Sequence, residues 1–301
     1  MSGREDGPMS TTFGVVLPQN ELGRSTRDVV AFAKEVDRLG FSHLLAYDHV
    51  LGADRSVHPD LAGPYGLDDA FREPFVLFGH LAALTELGFA TAILIAPQRP
   101  TALIAKQAAE VDLLCEGRLR LGCGIGWNSV EYDALGQRFE GRGERLAEQI
   151  GLLRALWTDE QVTATLGDER IVAAGLLPLP VQRPIPIWIG ALAPAALRRV
   201  GQLADGWFPM SLPGRGLEEA WEIVARSAEA AGRDPGSLGV EGQVPAFADD
   251  VGRTLTMIER WIAAGATHLS LSTLGQGLGG LDEHLAALRA VAERLELTPR
   301  R

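Results

Sequence analysis

Asp48 and His49 are the adjacent titratable residues in this 301-residue chain best suited to chemistry. They follow the apolar run His43–Tyr47, so both would emerge at the end of a strand. An imidazole there can give or take a proton near neutral pH, and the carboxylate beside it can fix its tautomer or bind a ring edge. The plain alternative is a structural histidine. A second feature is Gly122-Cys123-Gly124-Ile125-Gly126, continued by Trp127-Asn128. Its spacing and mid-chain position do not match the dinucleotide fingerprint, which needs G-x-G-x-x-G after a first strand. Three residues without Cβ can leave room for a flat ring, or they can make a tight turn and bulge. A third feature is Gly190-Ala191-Leu192-Ala193 before Pro194. Proline suits the first helical position, so free backbone N–H groups there could hold a phosphate without a lysine. An ordinary short loop is the alternative.

Other chemistries fail on inspection. The only two lysines, Lys34 and Lys106, lie in amphipathic helical patterns, not in a desolvated pocket where a Schiff base forms. Cys115 and Cys123 match neither a metal spacing nor a disulfide framework, and no H-x-H ends the first strand, so no metal site is expected. No G-x-S-x-G elbow is present. The paired carboxylates of a retaining glycosidase are also missing, since the fourth strand ends in Trp127 and Glu241 lies within a later strand, facing an undetermined side. His43 and His268 begin strands, point to the opposite face and read as structural; His58, His80 and His284 carry no local pattern. With 28 Lys+Arg against 39 Asp+Glu, a net charge of −11 argues against nucleic acid and anionic membrane surfaces as partners.

The elements that must position these residues alternate regularly. Strand-like runs at Phe13–Leu17, His43–Tyr47, Phe89–Ile95, Leu119–Gly122, Ile185–Ile189, Trp207–Pro209, Leu238–Val244 and His268–Ser272 are each followed by helical periodicity. The expected helices include Arg27–Leu39, Phe75–Leu87, Ala102–Leu114, Arg145–Trp157, Pro194–Leu203 and Leu281–Leu295. Eight such units imply a parallel sheet covered by helices, and the reading is α/β: a closed (β/α)8 TIM barrel. An open doubly wound sheet is the runner-up. Thr158–Pro184 breaks the rhythm with a hairpin-like pair and a proline-rich run, so it reads as an insertion after strand 4. Residues 1–12 read as a disordered leader, with Met9 a possible start, and 13–297 as one domain. The polar N-terminus has no secretory h-region, and Leu87–Ala96 is about half the length of a membrane span. A cytoplasmic protein is expected.

Taken together, FGVVLPQ, LGFSHLLAYDHV, ILIAPQRP, TALIAKQAAEVD, GRLRLGCGIGWNSVEYDALG, PIPIWIGA and LADGWFP resemble the luciferase-like monooxygenase superfamily. Within it, they resemble the oxidoreductases that use the deazaflavin coenzyme F420. The motifs keep their order from about Phe13 to Pro209. The resemblance implies hydride transfer between F420 and a small organic substrate such as a carbonyl, imine or activated alkene. His49 would be the catalytic acid/base. Cofactor contacts would come from Asp48, Ile95, Ile125, Gly126, Trp127 and Asn128, and from a phosphate turn at Gly190, Ala191, Leu192 and Ala193. It also implies a bulged third strand with a cis peptide between Ala92 and Ile93. Trp127 stands where related sugar-phosphate dehydrogenases carry an acidic partner, which argues against a sugar-phosphate substrate. An FMN-dependent monooxygenase using O2 is the alternative, and a catalytically silent flavin-binding barrel a further one. The expected partners are a small-molecule substrate and a second copy in a homodimer.

Overall fold

A computed structural model of the chain describes residues 11–300. The strands are β1 (Thr12–Val16), β2 (His43–Ala46), β3 (Gly88–Thr91), β4 (Leu94–Ile95), β5 (Leu119–Gly124), β6 (Val162–Leu166), β7 (Glu169–Ala174), β8 (Ile187–Ala191), β9 (Gly206–Pro209), β10 (Gly239–Pro245) and β11 (His268–Ser272). The helices are α1 (Gln19–Leu22), α2 (Thr26–Arg38), α3 (Pro74–Ala82), α4 (Thr101–Leu114), α5 (Ser129–Ala134), α6 (Arg142–Thr158), α7 (Pro194–Leu203), α8 (Arg215–Ala230), α9 (Val251–Ala263) and α10 (Leu281–Arg294). All the strands except β6 and β7 join one parallel sheet, which closes where β3 and β4 both pair with β5. Because β3 and β4 are two halves of one interrupted strand, the result is the eight-stranded TIM barrel expected. The β6–β7 hairpin forms a separate two-stranded antiparallel sheet within the expected insertion.

Local chemistry sets the helix ends. The Ser25 hydroxyl accepts from the Asp28 N–H to start α2, and Gly40, at φ +88°, follows its end. The Glu73 carboxylate caps α3 in the same way at 2.7 Å. That helix stops at Ala82 instead of continuing to Leu87, because the Leu84 and Thr85 amides and the Thr85 hydroxyl all converge on the Leu81 carbonyl. Of the leader expected over residues 1–12, residues 1–10 lie outside the described chain. Thr11 and Thr12 already belong to the barrel edge: the Thr11 hydroxyl donates to the Ala266 carbonyl and the Thr12 N–H to that of Thr267, each at 3.0 Å. Among the described residues, no helix is long and apolar enough to cross a membrane.

Alternation along the strands creates two cores. Outward residues pack against the helices, and Phe32, Phe78, Trp157 and Trp261 are among the large side chains buried there. The smaller inner cluster is Val16, Leu45, Ala90, Trp188 and Phe208. Trp188 fills the lower lumen because Gly206 and Gly239 on neighbouring strands leave it space; a Cβ on either would come within 2.4 Å of the indole. Beside it lies a buried polar cluster. The carboxylate of Glu241 accepts from His43 Nε2 at 2.7 Å and from Arg120 at 2.5 Å, and the Ser270 hydroxyl donates to it as well. Burial pushes the Glu241 carboxyl up, but the Arg120 and His43 interactions outweigh it and hold the group well below the usual carboxylate range. His43 is held below the ordinary histidine range, principally by burial, and His268 is pushed down to about 3 by burial and by the Arg120 charge. Both histidines sit at strand starts, under the lumen.

Candidate active site

The third barrel strand is where the regular wall breaks. Ala90 pairs with Arg120 and Leu94 with Cys123, so this strand carries one residue more than its neighbour between those pairs. That is a β-bulge. The Ala92–Ile93 peptide within it is cis, at the bond the family resemblance indicated. The bulge pushes inward, and the glycines of β5 and β8 admit it. A Cβ on Gly122 would lie 1.8 Å from the Thr91 carbonyl oxygen, and one on Gly124 would lie 2.4 Å from the Ile93 side chain. A Cβ on Gly190 would come within 3.1 Å of Ile93, and one on Gly126, at φ +62°, within 2.7 Å of Ile95. The glycines therefore make room for the bulge. Their missing side chains are thus accounted for by the bulged third strand, whose Ala92 and Ile93 line the lumen.

Above it, the strand ends enclose a cavity of about 700 Å³. Ala92, Ile93, Ile95 and Ile125 give one wall an apolar lining, while Asp48 and His49 stand at another and Glu241 and Gln243 reach in from β10. Of the residues expected to bind a cofactor, Asp48, Ile95, Ile125, Gly126, Trp127, Gly190, Ala191 and Leu192 line this space, as does His49. Asn128 and Ala193 do not. Asn128 is consumed in capping: its Oδ1 accepts from the Val130 N–H to start α5, and its Nδ2 donates to the Leu51 carbonyl. Ala193 is the exposed residue just before α7, and it contributes no capping side chain.

The two members of the Asp48-His49 pair have separate partners. Asp48 accepts from both terminal nitrogens of Arg99, at 2.6 and 2.9 Å, and from the Ile95 N–H at 3.0 Å. It therefore locks the segment after the bulge to the end of β2, and it does not set the His49 tautomer as the sequence suggested. That task falls to Glu131, on α5. Its Oε1 lies 3.1 Å from His49 Nδ1 and also accepts from the Val50 and Leu51 amides, while Oε2 accepts from Gln98 at 3.0 Å. Burial pushes the Glu131 carboxyl up, but the hydrogen bonds from His49 and Gln98 and the Leu51 amide outweigh it, so it is held below the ordinary carboxylate range. An ionised carboxylate only accepts, so His49 Nδ1 carries a proton and Nε2 is left to exchange one with a ligand. Tyr65, Phe71 and Trp127 surround the imidazole, with ring centroids 4.8–5.3 Å away. The carboxylate that partners His49 thus comes from Glu131, four residues after Trp127. Sequence reasoning missed Glu131 because its contact spans 82 positions and α5 is a single short element with no periodic pattern.

The apolar bulge face offers a flat surface to a planar ligand, and the Gly190–Leu192 turn leads directly into the N-terminus of α7, where backbone amides and the helix dipole favour an anionic group. A family model described as luciferase-like monooxygenase matches residues 9–294. The chain is 29% identical over 269 residues to the F420-dependent hydroxymycolic acid dehydrogenase of Mycobacterium tuberculosis, covering 86% of this chain and 69% of that protein. Among solved structures, a monooxygenase from Streptomyces bottropensis superposes with a TM-score of 0.79 at 18% identity, over 95% of this chain and 99% of that one. An F420-dependent secondary alcohol dehydrogenase, solved with an F420–acetone adduct, superposes with a TM-score of 0.75 at 16% identity, over 94% and 98% of the two chains.

Proposed function

Because the chain belongs to the luciferase-like monooxygenase family, we propose that it is an oxidoreductase that uses coenzyme F420 to interconvert a secondary alcohol and a ketone. The observation that carries this reading is His49: its Nδ1 is held by a buried carboxylate while the imidazole faces a cavity backed by the apolar bulge. When bound, the deazaflavin supplies a two-electron hydride acceptor or donor. Alcohol oxidation also releases a proton from the hydroxyl, and His49 Nε2 is the group positioned to take it; in the ketone-reducing direction it returns that proton to the carbonyl oxygen. Glu131 stabilises the imidazolium that forms. Ala92, Ile93 and Ile95 hold the face of the ring, and the amides of the Gly190–Leu192 turn and the start of α7 hold the phosphate. The F420 relative and the F420-dependent structural neighbour support the choice of cofactor.

The test is a pair of binding titrations of the purified protein, one with F420 and one with FMN, followed by turnover of simple secondary alcohols and ketones with the preferred cofactor. Tighter F420 binding with alcohol-dependent reduction is expected. Preferential FMN binding with O2-dependent turnover would replace this reading with that of a flavin monooxygenase.

A further inference from the structure

Strands β9 and β10 pair only through Gly206 with Gly239 and Trp207 with Val240. Above those pairs, β9 continues against β8 alone, and β10 against β11 alone. The barrel wall therefore parts, and the cavity extends into the gap. Trp261 shows this: it belongs to α9, outside the barrel, and is only 1% exposed, yet it lines the cavity. Its indole reaches the gap by lying against the backbone of Gly242, where a Cβ would come within 2.4 Å of the ring.

Two donors in this slot have nothing to bind. The Trp261 Nε1–H and the Ser211 hydroxyl are both buried without a hydrogen-bond partner. Leaving a buried donor unsatisfied costs free energy, so each marks a place for an acceptor. Both belong to one neighbourhood. Ser211 follows β9, and the Arg260 guanidinium, next to Trp261, donates to the Pro213 carbonyl at 2.7 Å and ties that loop to α9. Among the described residues, no lysine or arginine lines the cavity, so no side-chain cation is placed in the slot to pair with an anionic group. Met210 and Leu212, beside Ser211, are 69% and 60% exposed and give the slot an apolar rim.

We infer that the slot between β9 and β10 is a substrate subsite, in which Trp261 Nε1 and Ser211 Oγ bind a second, uncharged oxygen on the apolar chain of the substrate. Resting on the proposed alcohol–ketone chemistry, it assigns the substrate class: ketones or secondary alcohols carrying an ester, ether or further carbonyl oxygen along the chain. Trp261 and Ser211 are specificity residues, on the side of the cavity away from the bulge.

The experiment compares ethyl 5-oxohexanoate, 2-octanone and the 5-oxohexanoate anion, each by calorimetric binding to the protein and by turnover with reduced F420. The parent should favour the ester over both others. Trp261→Phe keeps an aromatic ring but removes the N–H and part of the indole; it should weaken ester binding and raise its KM about 5-fold, leaving 2-octanone within 2-fold. Ser211→Ala should act in the same direction. Trp261 is buried, so Trp261→Phe also removes packed volume and should lower Tm modestly; Ser211→Ala, which removes only an unpartnered hydroxyl, should not. Equal losses on ester and alkanone, a fall in Tm for Ser211→Ala, no saturable binding of the ester, or preference for the anion would each overturn the assignment. Turnover of both ketones with no dependence on Trp261 removes the subsite and leaves the proposed reaction standing. Donor-dependent ester binding with no F420-linked turnover does the reverse.

Discussion

Replacing Glu131 by glutamine removes one charge and almost no volume. The buried Glu131 carboxylate accepts four hydrogen bonds: from His49 Nδ1, the Val50 and Leu51 amides, and Gln98 Nε2. A glutamine can keep its Oε1 toward the first three and turn its NH2 toward Gln98. Gln98 Oε1 is buried without a partner, so rotation of that amide lets it accept the new donor. The fold should survive. What is lost is the difference between a charge-assisted hydrogen bond, worth roughly 1.5–3 kcal/mol, and a neutral one, worth roughly 0.5–1.5 kcal/mol. That difference, about 1.25 kcal/mol between the midpoints, acts when His49 gains its proton and corresponds to a nearly tenfold loss in kcat/KM. The assay is F420-linked oxidation of a secondary alcohol, run on the parent, Glu131→Gln, His49→Ala and the double variant, with thermal melts to verify folding. If Glu131 works through His49, adding Glu131→Gln to His49→Ala should cost less than about 2-fold more, because no imidazolium remains to be stabilised. A tenfold loss in both backgrounds would refute this reasoning and place the role of Glu131 in its hold on the Val50 and Leu51 amides. A folded single variant within 2-fold of the parent would refute it outright.

His49→Ala itself should lower turnover by roughly 10²–10⁴-fold while changing F420 affinity little; measuring kcat beside Kd separates the two effects. Ala191→Asp puts a negative, larger side chain at the proposed phosphate turn and should weaken F420 binding at least about tenfold, which a titration at low ionic strength detects; unchanged affinity would move the phosphate elsewhere. His268, pushed down to about 3, stays neutral in the fold while the unfolded chain takes up a proton near pH 6.5, and His43 is depressed in the same sense. The unfolded state therefore binds more protons below about pH 6.5, so stability is full above that pH and falls as the pH drops toward about 3, by up to about 1.4 kcal/mol per pH unit for each histidine. Denaturant melts at pH 7.5 and 5.5 check this, and equal stabilities would count against it. Gly122→Ala should destabilise the fold by about 3 kcal/mol or more, since its Cβ meets the Thr91 backbone carbonyl and not a side chain that can swing away; a Tm within a degree of the parent would contradict the close approach.

The barrel was legible because its strands are short apolar runs between helical periods, and periodicity survives small errors at element ends. The interruption at Ala92–Ile93 was not visible in FATAILI, where every residue suits a continuous strand; only the resemblance to known relatives indicated it. His49 was readable from its position after β2, but its partner was not. Adjacency suggested Asp48, while folding delivers Asp48 to Arg99 and brings Glu131 from 82 residues away. Asn128 shows the opposite error. A polar residue beside a glycine-rich loop invites a ligand role, yet at the start of a helix its amide has a nearer use as a cap. Trp261 carries no signal of a site in the sequence, and nothing along the chain reveals that the wall between it and the lumen opens.

The fit between the bulge and the glycines opposite it bears on how such a barrel can diverge. Gly122, Gly124 and Gly190 lie on two strands, yet the inward displacement of a third strand is what each of them accommodates. They therefore form one heritable unit with residues 91–93. A lineage that straightened the third strand would release all three positions to accept side chains, whereas one that kept the bulge could not change Gly122, whose Cβ meets backbone, and could change Gly124 or Gly190 only if the Ile93 side chain moved. Small residues at these three places should thus report the shape of a strand whose own sequence is silent about it, and their joint replacement should mark descendants whose cavity has lost its inward-facing wall.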